Sequence, residues 1–131
     1  DTLDVDARFA ETWPGVEQLL RRIRWEHPEL ALLANRGFTV LDAVVETVDG
    51  VVFESFSTYY DEAGYAAWTG RDLSWTEQMA TRLQEVMGTR PILTIDYAPP
   101  DDEAMRLYAE HRAQSYGFTP FVGVGHLDTL P

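Results

Sequence analysis

Four short apolar runs recur along the chain, and a helical pattern fills each gap between them. That alternation limits the fold more than any single residue does. Leu30–Asn35 (LALLAN) follows His27-Pro28, Val51–Phe56 (VVFESF) follows Asp49-Gly50, Ile92–Tyr97 (ILTIDY) follows Pro91, and Phe118–Val124 follows Gly117. Strands this short and this continuously apolar suit a parallel sheet covered on both faces, because a sheet with one wet face would alternate apolar and polar residues. Strands alternating with helices predict an α/β fold, its parallel sheet either open or part of a barrel.

The intervening segments carry helix signals. Pro14 suits a first helical turn, and Val16, Leu19, Leu20 and Ile23 follow at 3–4-residue spacing. Leu41–Val48 reads as a short apolar helix. Ser74 and Glu77 fit a capping box ahead of Met79, Leu83, Val86 and Met87, with Gly88 as the stop. Asp101, Asp102 and Glu103 place negative charge at the start of a last helix, where the dipole favours it, and Gly117 closes that helix. Between Phe56 and Ser74 the pattern leaves a loop of roughly 18 residues, a length that is often functional. No low-complexity stretch or linker interrupts the chain, so residues 1–131 read as a single unit. A complete (β/α)₈ barrel needs roughly 250 residues, so a barrel reading implies about half of one.

Charge narrows the partners. A net charge of −12 makes nucleic acid and anionic membranes poor partners, since both need a basic face. No run reaches the ~18–20 apolar residues of a membrane span. The chain has no cysteine, which excludes disulfides and thiolate metal sites. The acidic excess is either a plain solubility feature or a field that draws a cationic substrate.

In a parallel α/β sheet the strand C-termini and their loops converge on one edge, and there the polar residues stand out. Asn35 and Arg36 end the first strand, Glu54 lies in the second, and Asp96 and Tyr97 end the third. Glu54 has apolar neighbours, so its burial calls for a partner or a protonated state; it is either functional or a buried ion-pair member. Asp96 is either functional or a structural partner of Arg36. Asn35 and Arg36 either bind a substrate or lock neighbouring carboxylates. Asp1, Asp4 and Asp6 form an acidic cluster that reads as a solvated terminus unless DTLD ends a strand. Tyr59, Tyr60, Tyr65, Trp68 and Trp75 crowd the loop after Glu54, suited either to stacking on sugar rings or to packing. His27, His111 and His126 show no metal-ligand spacing, and no phosphate loop or nucleophile elbow is present, so no cofactor or metal is expected.

The succession DTLD, LLANRGF, VDGVVFESF, ILTIDYA and GFTPFVG resembles glycoside hydrolase family 114, the endo-α-1,4-polygalactosaminidase-like enzymes. The resemblance runs over essentially the whole chain and implies a partial (β/α)₈ TIM barrel, roughly strands 4/5 to 8. It implies action on an α-1,4-linked galactosamine polysaccharide, a cationic polymer when de-N-acetylated, in an extracellular or cell-envelope setting. Asp1 and Glu54 match the catalytic pair, and Asp4, Asn35, Arg36, Tyr59, Asp96 and Tyr97 are assigned to the sugar subsite. Glycoside hydrolysis needs one protonated and one ionised carboxyl, about 5–5.5 Å apart for retention. An apolar setting raises a glutamate's pKa, so Glu54 is expected as general acid/base and Asp1 as nucleophile. The rivals are a non-catalytic carbohydrate-binding or degenerate barrel, a hydrolase using Ser55 or Asp96 with His126, and a half-barrel that dimerises through open sheet edges.

Overall fold

The structure is a computed structural model and describes residues 12–125. Its contacts cluster in two compact units that divide between Val52 and Phe53, inside the second strand.

The first unit holds α1 (Trp13–Glu26), β1 (Leu33–Asn35), α2 (Leu41–Val44) and the start of β2 (Gly50–Glu54). Pro14 stands in the first turn of α1, where its missing N–H costs nothing. β1 and β2 run parallel, with Leu33 opposite Gly50 and Asn35 opposite Val52. Arg24 near the end of α1 ties these elements together. Its guanidinium donates to the carbonyls of Thr47 at 3.0 Å and Leu30 at 2.8 Å and to Asp49 Oδ2 at 2.5 Å. The same Asp49 oxygen accepts the Leu32 amide at 2.7 Å, so one ion pair fixes the approach to both strands. Leu41, Val44 and Val48 are buried beside them.

The second unit continues with β3 (Thr58–Asp61), β4 (Gly64–Ala67), α3 (Gly70–Met87), β5 (Ile92–Tyr97), α4 (Glu103–Ser115) and β6 (Thr119–Gly123). β5 and β6 are parallel, Leu93 opposite Thr119 and Tyr97 opposite Gly123. The sheet order is β1-β2-β5-β6, a four-stranded parallel sheet with helices between its strands, as in part of a (β/α)₈ barrel. Phe56 is the hub of this unit's core. Its ring lies 5.0 Å from Phe53, 5.4 Å from Tyr116 and 5.4 Å from Phe118, centroid to centroid. Burying a side chain of that size contributes about 1.5–3 kcal/mol. Ala109 and Ala113 are fully buried, and their small side chains let α4 lie close on β5 and β6.

Two local expectations are corrected. The long loop after Phe56 is largely an antiparallel hairpin, β3 with β4, pairing Thr58 with Ala67 and Asp61 with Gly64. Asp61 Oδ1 accepts the Ala63 amide at 2.8 Å and shapes its turn. The helix assigned to a Ser74 capping box begins earlier, at Gly70, so Ser74 is an interior residue. Gly70 turns the chain at φ +54°, a conformation open to glycine, and that entry makes the serine cap unnecessary. Among the described residues, no helix is long and apolar enough to cross a membrane.

Candidate functional site

The pleat of β2 decides where Glu54 goes. Phe53 turns towards the helices, its ring 6.1 Å from Trp75 of α3, edge to face. Successive side chains of a strand take opposite faces, so Glu54 leaves on the other side, half-buried at the strand's C-terminal end. There the Tyr97 hydroxyl donates to Glu54 Oε1 at 2.5 Å. Burial first, and the adjacent Glu54 carboxylate second, push the Tyr97 phenol well above its ordinary pKa, so it stays protonated as a donor. A donor held on a carboxylate stabilises the ionised form.

Asp96, next to Tyr97 on β5, takes the opposite face. It is fully buried, and its Oδ1 accepts the amides of Ser57 at 2.5 Å and Thr58 at 2.8 Å. Asp96 Oδ2 and the hydroxyl of Thr94, two residues back on the same face, are buried side by side, close enough for the hydroxyl to act on the carboxyl but without a well-formed hydrogen bond. Burial pushes the Asp96 carboxyl up to about 6, against the pull of the Thr58 and Ser57 amides and of Arg112. A carboxyl enclosed in this way offers no surface to a sugar. The subsite role assigned to Asp96 from the sequence therefore finds no exposed atom to perform it; what holds its Oδ1 is the pair of backbone amides.

The four residues after Glu54 are held at almost every backbone atom. Ser55 has a left-handed φ of +55°, uncommon outside glycine. Its amide donates to the Ile95 carbonyl at 2.6 Å, and its own carbonyl accepts the Trp68 indole N–H at 2.7 Å. Arg112 Nη1 donates to the Phe56 carbonyl at 2.6 Å, and Nη2 to Thr76 Oγ1 at 2.8 Å. The Ser57 carbonyl accepts the Trp68 amide at 3.0 Å. Thr58 Oγ1 accepts the Tyr97 amide at 3.0 Å.

Tyr59 stacks on Trp68 with centroids 4.0 Å apart and planes at 25°. Trp68 is thus a packing anchor as well as a stacking surface. Asn35 ends β1, exposed; Arg36 follows at φ +55°, its amide donating to the Val52 carbonyl at 2.8 Å and its guanidinium 5.8 Å from the Phe38 centroid. His27 caps α1 with Nδ1 3.8 Å from Glu29, and His111 is exposed on α4. Asp1, Asp4, Asp6 and His126 lie outside the described residues. Sequence reading passed over Arg112 and Thr94. Arg112 had a signal, since it shares a helix face with the buried Ala109 and Ala113, where a cation must find partners.

No family model matches the sequence, and no curated protein matches it. Among solved structures, the chain is similar to the glycoside hydrolase domain of PelA from Pseudomonas aeruginosa, at 31% identity and a TM-score of 0.80. That similarity covers 96% of this chain and 50% of the PelA chain, so the chain spans about half the length of its structural relative.

Proposed function

We propose that this chain forms the C-terminal half of a glycoside hydrolase barrel, with Glu54 as one of two catalytic carboxyl groups. The hydrogen bond from Tyr97 to Glu54 carries the reading. A half-buried carboxylate at a strand C-terminus, with a phenol fixed on it, is equipped for chemistry on a glycosidic bond. Similarity to a glycoside hydrolase domain supports the same class of reaction.

The Tyr97 donor favours an ionised Glu54. This exchanges the roles expected from the sequence: Glu54 supplies the negative charge, as nucleophile or base, and the partner carboxyl, Asp1 or Asp4, supplies the proton. Asn35, Arg36, Tyr59 and Tyr97 are assigned to the sugar subsite, with the Tyr59 ring offering an apolar face. The finer substrate, an α-1,4-linked galactosamine polymer, rests on the family 114 resemblance and on the net charge of −12, which suits a polycation. An extracellular or cell-envelope setting follows from the same resemblance.

Glu54→Gln in the whole protein, assayed on galactosamine oligomers, tests the reading. Hydrolysis is expected to fall at least about 10³-fold with the fold intact, because the amide cannot carry the charge. Turnover within a few-fold of the parent would reject Glu54. A parent that binds the oligomers without cleaving them would favour a non-catalytic sugar-binding barrel.

A further inference from the structure

Ser55 to Thr58 connect Glu54 to the hairpin, and the direction of the Glu54 side chain depends on how this turn is pinned. Two of its amides, Ser57 and Thr58, end on a single oxygen, Asp96 Oδ1. Thr58 in turn accepts the Tyr97 amide through its hydroxyl. The backbones beside both members of the Glu54–Tyr97 pair are therefore anchored to the same buried carboxyl. Arg112 completes the brace from α4, holding the Phe56 carbonyl and reaching Ser57 Oγ at 3.3 Å.

We propose that Asp96 is a positioning residue: from the helix side of the sheet it fixes the Ser57–Thr58 turn and so aims the Glu54 carboxylate at the Tyr97 hydroxyl. This rests on the reading of Glu54 as a catalytic group. Asp96 touches neither substrate nor reacting atoms and acts through two amides. A strained left-handed residue next to the chemistry persists only when its surroundings over-determine it. Here the surroundings are Asp96 below, Trp68 beside and Ile95 across the sheet. An asparagine at position 96 keeps an oxygen that can accept both amides, so the brace survives that change. An alanine removes it.

The experiment compares Asp96→Asn and Asp96→Ala in the whole protein by amide hydrogen exchange, by carboxyl-carbon NMR of Glu54 and by kcat and KM. Asp96→Ala is expected to speed exchange at Ser57 and Thr58 by about tenfold or more, in line with the loss of two buried hydrogen bonds. It should also raise the Glu54 titration midpoint and lower kcat with little change in KM. Asp96→Asn is expected to restore protection, midpoint and most of kcat. Unchanged exchange and an unchanged Glu54 midpoint in Asp96→Ala would overturn the proposal, as would Asp96→Asn losing kcat while keeping amide protection. Thr58→Val, which removes the acceptor for the Tyr97 amide, supplies the same readouts should the alanine variant fail to fold. Exchange and titration need no turnover, so they judge Asp96 even if the parent cleaves no glycoside.

Discussion

Arg112 holds Phe56 at two points: its guanidinium carbon lies 4.0 Å from the ring centroid, and its Nη1 donates to the same residue's carbonyl. The flat cation covers the ring while its edge satisfies a backbone acceptor, a combination that the planar fork of arginine allows and an ammonium does not. Its second nitrogen reaches Thr76, whose hydroxyl donates to the Leu73 carbonyl at 2.8 Å within α3. One residue of α4 thereby joins the turn after Glu54 to a second helix.

Replacing Arg112 by Met keeps the length but leaves the Phe56 carbonyl and the Thr76 hydroxyl without their donor. The expected loss is about 2–4 kcal/mol of unfolding free energy, and Arg112→Lys should recover less than half of it. Urea unfolding measures both, and a loss under about 0.5 kcal/mol for the Met variant would mean that the brace adds no stability.

Tyr97→Phe separates the two roles open to Glu54. Loss of the donor raises the Glu54 pKa. If Glu54 works ionised, the acid limb of the kcat/KM profile moves to higher pH and activity on that limb falls. If Glu54 works protonated, the alkaline limb moves up instead and activity extends to higher pH. A profile that keeps both limbs would show that this hydrogen bond does not tune the reaction.

Ser55 is the one non-glycine residue of the second unit with a left-handed backbone among those described. Ser55→Gly removes the steric penalty at that position, offset by added freedom in the unfolded chain, so stability should change by less than about 1 kcal/mol. Hydrolysis should survive, because no step proposed for Glu54 uses the Ser55 hydroxyl. Abolished turnover in a well-folded Ser55→Gly protein would revive the serine nucleophile.

Asp96 also sets a pH dependence of stability. Its folded pKa, about 6, lies above the ordinary 3.8, so between these values the folded state binds more protons than the unfolded one. Its contribution is therefore fully present below pH 4 and lost as pH rises through about 6, on the order of 3 kcal/mol. The stability of the parent minus that of Asp96→Asn, followed from pH 4 to 7, should decline over this window. A flat difference would mean that Asp96 titrates as an ordinary carboxyl.

The strand ends were legible because apolar runs broken by one polar residue mark both a buried strand and its exit; Glu54 and Tyr97 were placed at strand ends that way. The face taken by Asp96 was not legible. In a strand buried on both sides the apolar pattern carries no phase, so nothing in ILTIDY says that Tyr97 meets Glu54 while Asp96 turns to the helices. The hairpin was hidden for a related reason. TYYDEAGYAA lacks an Asn-Gly turn, and its register depends on Asp61, Gly64 and the Tyr60–Tyr65 contact, with centroids 4.7 Å apart. The carbonyl met by Arg112 lies 56 residues away in the chain, a separation that local spacing cannot span.

The turn after Glu54 is held from below, by Asp96 and Arg112, and from the side by Trp68, so its backbone owes little to the side chains that face outward. The exposed hairpin tip at Glu62-Ala63 can then be exchanged without moving the carboxylate. The turn therefore works as a fixed platform, its backbone set by Asp96, Arg112 and Trp68 whatever stands at the hairpin tip.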